Sequence, residues 1–520
     1  MNKATTLPKK HTFIATASLI TGLSVAERSL GFLYRIVLAR LIGAEGMGIY
    51  QVALSLFSVF LTMGTGGIPV TVSRFISKSK AENKPLDGRK SVSAGLLLST
   101  LLTAPIALFL ILFPSTVSFL FTDDSCLPVF RILMSGLFFS SIFAVIRGSF
   151  WGNKNFLLPA VLELTEEIVM VIAGILLLQN VSSFQRGATL AAWAVVLSYL
   201  VSFTLSVLSF FIKGGALANP KSAIKPLFNA SLPITSVRAG GSLINSAVAV
   251  VLPLMLVKSG VEKTQALQLF GAVSGMAMPI LFIPSTVIGA LSLVLVPELS
   301  EDFYRKNYKR LYHNVTRGIS TALFVACFLT PFFYVLGDEL GRIAFSNPLA
   351  GECIRKGCIV LIPMSITMIT TGILNSMGFE KQTFTFYFVS AATLLVCVLF
   401  LPAFIGVYAY VVGLIASFIV NALCNLVFLF KNCPHLWQSI FQNHKPLLRA
   451  LALALFCILP VSLLGSLLSA LLSRVFGETL ALLIAGACVG IVETLIYCLF
   501  GIIPVKSIFA KKRRKMANFS

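Results

Sequence analysis

The chain has 520 residues, 57% of them hydrophobic and only 12% charged, with a mean hydropathy of +0.93, whereas soluble globular domains carry about 25% charged residues. That composition excludes a soluble enzyme and indicates a polytopic membrane protein. The formal net charge of +22 has no aromatic-interleaved basic module beside it, so it does not point to nucleic acid as a partner.

A helical span needs about 20 apolar residues, and the sequence offers about fourteen such stretches: 13–39, 48–72, 93–113, 127–146, 157–178, 188–212, 230–257, 267–296, 318–337, 357–378, 384–402, 404–430, 447–472 and 479–503. The runs are continuous over helix lengths, which excludes the alternating strands of a β-barrel. The first stretch is read as a retained span, because no small-residue cleavage site follows it. The second contains the breaker run Gly64-Thr65-Gly66-Gly67-Ile68-Pro69 and the fourth ends in Arg147-Gly148. The eighth holds Pro279 and Pro284, each of which removes a helix hydrogen bond, so this span is expected to bend. The hydrophilic interruptions at 78–90 and 297–317 are far shorter than a domain of about 50 residues, so no ATPase domain is fused between spans. There is no GxxxxGK[ST] loop for nucleotide hydrolysis either.

Charge gives the topology. An even number of spans puts both termini on one side, with Lys3, Lys9 and Lys10 at one end and Lys511 to Lys515 at the other. Alternate loops, with Arg147 counted among them, place the whole formal surplus on that same side. The positive-inside rule reads it as cytoplasmic.

Faint echoes recur at an offset of six spans, such as Arg147-Gly148 at the exit of span four and Gly372-Ile373-Leu374 at the exit of span ten. An even offset implies parallel repeats. The expected organisation is an N-lobe at 1–212, a cytoplasmic linker at 213–228, a C-lobe at 229–431, an appendage of two further spans at 446–503 and a basic cytoplasmic tail at 504–520.

Some charges sit where charge is expensive. At 1.5 Å per residue, Arg28 lies about 22 Å along the first span and Arg238 about 12 to 14 Å along the seventh. Burial at the bilayer centre costs at least ~2.5 kcal/mol, so a polar interior is expected around them. Arg35 and Arg74 are nearer span ends, where snorkelling competes with a site role. A guanidinium stays charged when desolvated and grips phosphate or carboxylate with a planar fork, so Arg28 and Arg238, with Arg35 and Arg74 behind them, are the candidate substrate-binding residues for an anionic head group. Span five carries Glu163, Glu166 and Glu167, with 163 and 167 one turn apart on one face. Together with Glu27 they are candidates for charge balance or for coupling to H+ or Na+. No metal site is expected, because His11, His313, His435 and His444 have no ligand cluster at binding spacing. Cys353 and Cys358 are near enough in sequence to pair.

The segment from Arg28 to Tyr50 (RSLGFLYRIVLARLIGAEGMGIY), supported by Arg147-Gly148, Pro159 with Glu166, and Gly372-Ile373-Leu374, resembles the polysaccharide-flippase branch of the multidrug/oligosaccharidyl-lipid/polysaccharide (MOP) exporter superfamily. The resemblance implies an all-α, MATE-like fold, with two pseudo-symmetric six-helix lobes around a central cavity and two extra C-terminal helices that form a groove for a lipid tail. It also implies alternating access and export of an undecaprenyl-diphosphate-linked saccharide for cell wall, spore cortex or polysaccharide. The implied setting is a bacterial plasma membrane, with lipid-linked oligosaccharide and membrane lipids as partners and no cofactor. The sequence departs from the dedicated lipid II flippases at 60–67, which has no arginine or glutamate, and at Tyr34, where they carry an arginine. Two other readings compete: a cation-coupled multidrug antiporter of the same fold, which predicts acidic-dominated lobes, and a noncatalytic scaffold in envelope or spore assembly.

Overall fold

In a computed structural model of the chain, the described residues are 10–433 except 180 and 182, together with 484, 486, 488 and 490–492. All regular secondary structure among them is helical. The appendage expected at 446–503 lies outside the described residues apart from those six positions, and the tail at 504–520 lies wholly outside them. Among the described residues, ten helices are long and apolar enough to cross a membrane. The chain divides into two compact units, Met1–Gly275 and Met276–Ser520.

The first unit begins with α1 (Lys10–Thr65), whose 56 residues are interrupted at Gly43 (φ 64°, ψ −177°). A straight helix of that length would be about 84 Å long, far more than a hydrocarbon core of about 30 Å. The left-handed φ at Gly43 divides it, at little steric cost to a residue without Cβ. The second expected span, 48–72, is not one helix. It stops at Thr65 and resumes as α2 (Ile68–Ala81), because Gly66 and Gly67 are poor helix formers and Pro69 suits a first turn. Then follow α3 (Pro85–Leu112), α4 (Cys126–Gly152), α5 (Leu157–Leu178), α6 (Phe184–Ile212), α7 (Lys221–Lys258) and α8 (Lys263–Phe270). The helix α7 already begins inside the expected 213–228 linker, and Pro226, Pro233 and Pro253 lie within it.

Membrane helices associate by close packing and interhelical hydrogen bonds. Gly148 of α4 shows the first, since a Cβ there would collide with the backbone of Pro69 at the head of α2. Around this contact Ile68, Val72, Val92, Val145, Phe150 and Leu227 form a buried cluster.

A π-helical stretch, Gly271–Ala277, leads from α8 into α9 (Met278–Leu281), and after Phe282 the chain continues as α10 (Ile283–Tyr304). The expected bend in span eight is therefore a segmentation. Pro279 and Pro284 each fall in the first turn of a new helix, where the missing N–H has no partner to lose.

The second unit continues through α11 (Tyr308–Phe345), α12 (Pro348–Gly357), α13 (Leu361–Ser376), α14 (Glu380–Phe400), α15 (Pro402–Ile405) and α16 (Tyr408–Asn432). Its core gathers Leu299, Leu311, Val315, Ile369, Leu374 and Leu429. Polar ties cross it: buried Asn425 donates to the hydroxyls of Thr370 and Thr371 at 3.1 and 2.9 Å, and Asn314 donates to buried Asp302 at 2.9 Å. Cys353 and Cys358 are free, buried thiols and do not pair.

Candidate functional site

All eight predicted residues fall in the first unit, and five of them, Glu27, Arg35, Glu163, Glu166 and Glu167, come from the region where α1, α4, α5 and α6 pack on one another. Glu163 forms an ion pair with Arg147 of α4. The Arg147 guanidinium also lies over the rings of Trp151 and Phe143, 5.0 and 5.8 Å from their centroids. Glu166 accepts a hydrogen bond from the Ser202 hydroxyl of α6. Glu167 crosses Gly31 of α1 so closely that a Cβ there would overlap its carboxylate, and it lies in the electrostatic field of Glu27 and Arg35. Glu27 in turn feels Glu163, its neighbour Arg28, and Arg147. Four carboxylates and their cations thus share one half-buried neighbourhood.

Arg28, on the same helix as Glu27, is exposed, and its side chain makes no hydrogen bond or ion pair with any described residue. Arg238 is exposed too, but it stands apart from the cluster. Its Nη1 donates to the carbonyl of Gly66 at 2.8 Å. Two neighbours on the same face of α7 act with it: the Gly67 N–H donates to the Thr235 hydroxyl at 3.0 Å, and the hydroxyls of Ser242 and Thr62 lie 2.7 Å apart. Positions 235, 238 and 242 follow the i, i+3, i+7 spacing of one helix face. Backbone groups freed by a helix break must be satisfied inside a membrane, and this face of α7 satisfies those at Gly66–Gly67. Arg74, in α2, is exposed, with its guanidinium 5.9 Å from the Phe75 ring centroid.

Two points refine the sequence reading. Arg147, counted with the loops, lies inside α4 and is neutralised by Glu163, which leaves Glu163 committed to Arg147 rather than to Arg28 or Arg238. The signal available was Trp151, four residues further on, since aromatic residues of this kind mark the membrane–water boundary. Tyr34 does not line an opening. It is buried against Gly174 of α5, with its hydroxyl unpartnered among the described residues.

Comparison with known proteins bears on the family and the fold. Residues 13–303 match the family described as Polysaccharide biosynthesis protein. The chain is 26% identical to Stage V sporulation protein B of Bacillus subtilis (strain 168) over 364 residues, 66% of this chain and 69% of that one. It is 24% identical to the lipid II flippase MurJ of the same organism over 330 residues, spanning 58% of this chain and 60% of the relative. Among solved structures, an inward-closed lipid II flippase MurJ superimposes with a TM-score of 0.68 at 14% identity, covering 93% of this chain and 99% of that one. An inward-facing multidrug resistance MATE family transporter of the MOP superfamily gives 0.66 at 14% identity, covering 79% and 96%. The fold is the MOP fold, shared with a flippase and a transporter, neither of which is an enzyme. The chain belongs to the polysaccharide biosynthesis protein family and is a multi-pass membrane protein with the fold of the MOP-superfamily transporters.

Proposed function

We propose that this transporter moves a lipid-linked saccharide, a polyprenyl diphosphate bearing sugar, across a bacterial plasma membrane by alternating access, with both termini cytoplasmic. One observation carries the reading: Arg28 and Arg238, deep in their helices, are exposed, and neither forms an ion pair with a described residue. A lipid-facing guanidinium is costly, so exposed guanidinium groups at that depth imply a wet opening, and uncompensated ones attract an anion. Arg238 spends one of its five N–H groups on Gly66, which leaves the others for a diphosphate. In this reading Arg35 and Arg74 assist on the approach, and the polyprenyl tail stays in lipid. The two six-helix lobes, with an appendage at 446–503 for the tail, remain part of this proposal.

Glu27, Glu163, Glu166 and Glu167 outnumber the cations that act on them, Arg28, Arg35 and Arg147. A proton or Na+ taken up there would balance the cluster and couple the cycle to a gradient. Membrane potential alone supplies ~2.3 kcal/mol per charge moved per 100 mV. The same carboxylates favour a second reading, a cation-coupled exporter of cationic drugs.

The test is translocation in proteoliposomes, with a labelled polyprenyl-diphosphate saccharide and a cationic dye offered in parallel. The proposal expects saccharide transport that falls at least about tenfold in Arg28→Ala and in Arg238→Ala, the loss of a charged hydrogen bond being worth that much. Dye transport without saccharide transport would install the antiporter reading. Saccharide moved at the wild-type rate by both variants would remove the arginines from the site.

A further inference from the structure

Away from the carboxylate cluster, the first unit has a second opening, built from four helix ends. The helices α2, α4 and α6 all stop there in the same way. The residue after each cap is left-handed, Asn83 at φ 55°, Lys154 at φ 59° and Gly214 at φ 78°. Outer N–H bonds run from Lys84 to Ser79, from Asn155 to Phe150 and from Gly215 to Phe210, and inner ones from Asn83 to Lys80, from Lys154 to Trp151 and from Gly214 to Phe211. These are Schellman endings, which occupy the last carbonyls of each helix and fix the chain beyond it. The helix α3 starts at the same place, where the Gly88 N–H donates to the Ser79 hydroxyl at 2.9 Å. The Ala218 N–H donates to Ser93 at 2.9 Å and anchors the segment that leads to α7. The cavity between these ends has a volume of about 420 Å³, within the range of small-molecule sites, and its walls are preformed.

Its lining carries Lys80, Arg89 and Lys213 with no acidic side chain, beside the apolar Phe150 and Phe210. None of the three cations is ion-paired with a described residue. The acids in the adjoining turn are already held, Glu82 by Lys78 and Lys84 and Asp87 by Lys90. Three helix C-termini contribute about half a negative charge each, which is less than the three full positive charges of the lining. The cavity is therefore net positive, rigid and unneutralised.

We propose that this cavity binds a phosphate-bearing ligand, with Lys80, Arg89 and Lys213 on the phosphate and Phe150 and Phe210 against the less polar remainder. An occupant ties together the ends of α2, α3, α4 and α6 and the segment before α7, so it braces the first unit. A phospholipid head group and a soluble phosphate ester share the required chemistry. The proposal does not depend on the cargo assigned to Arg28 and Arg238.

The experiment uses the full chain in nanodiscs and follows its thermal unfolding. One arm compares phosphatidylcholine with phosphatidylcholine containing phosphatidylglycerol; the other adds millimolar glycerol 3-phosphate to phosphatidylcholine discs. Binding to the folded state raises the unfolding midpoint. The expected result is a rise of several degrees with at least one probe, lost in Lys80→Gln/Arg89→Gln/Lys213→Gln and kept in the control Lys309→Gln/Arg317→Gln/Lys381→Gln. All six positions are exposed, so neither variant threatens the fold. A rise with phosphatidylglycerol alone assigns the site to lipid, and one with glycerol 3-phosphate alone assigns it to a soluble ester. No rise with either probe, a rise that survives in the cavity variant, or equal loss in the control overturns the proposal.

Discussion

Replacing Arg147 by glutamine removes half of an ion pair whose side chains are only 27% and 26% exposed. A close pair in an intermediate dielectric is worth on the order of 4 kcal/mol of Coulomb energy before desolvation is charged against it. Breaking a fully buried pair costs about 3 to 5 kcal/mol, because one charge is stranded. With a quarter of each side chain still wet, the expected loss is about 2 kcal/mol for Arg147→Gln and about the same for Glu163→Gln. Arg147→Lys keeps the charge but gives up the planar stacking on Trp151, so it should lose about 1 kcal/mol. The double variant strands no charge, and its loss should fall short of the summed single losses by about 1 to 2 kcal/mol. Unfolding by SDS in mixed micelles, followed by helical circular dichroism, measures all four proteins. If the single losses add to within about 0.3 kcal/mol, the two residues do not interact, and the cluster is not organised by that pair.

Thr235→Val leaves the Gly67 N–H without its hydroxyl acceptor, and the same unfolding assay should show a loss of about 1 kcal/mol, the scale of interhelical hydrogen bonds in membranes. Gly148→Ala drives a methyl into the Pro69 backbone and forces α2 from α4, a cost of about 1 to 3 kcal/mol typical of overpacking and readable as a lower midpoint. If the carboxylate cluster couples transport to a cation, Glu166→Gln and Glu167→Gln should flatten the dependence of uptake on an imposed pH or Na+ gradient in proteoliposomes while leaving potential-driven uptake in place; an unchanged gradient dependence in both variants would leave them as structural charges only.

Most of the helical plan was legible because it follows from length and hydropathy. The expected span at 157–178 coincides with α5, and the breaker runs at Gly66–Gly67 and at Pro279 with Pro284 fall where helices stop and restart. What was not legible depends on partners far along the chain. The hydropathy of span four ends near Ile146, which pushed Arg147 into the loop count; only packing reveals Glu163 beside it. Tyr34 is buried because Gly174 leaves room for its ring, a match that no local pattern announces. The polar face Thr235, Arg238 and Ser242 is visible as a spacing, but its target, the open backbone at Gly66–Gly67, lies about 170 residues earlier. Depth alone selected Arg28 and Arg238, and both are exposed; it did not show that Arg238 donates to the Gly66 carbonyl.

The central claim is that guanidinium groups deep in the spans face water and receive an anion. After removal of the ten native cysteines, Arg28→Cys and Arg238→Cys can be probed with a membrane-impermeant thiosulfonate, using Leu108→Cys on the apolar surface of α3 as the reference. The account predicts that both cysteines react much faster than the reference and that a polyprenyl-diphosphate saccharide slows them. Reactivity as low as that of Leu108→Cys, with or without the saccharide, would contradict it.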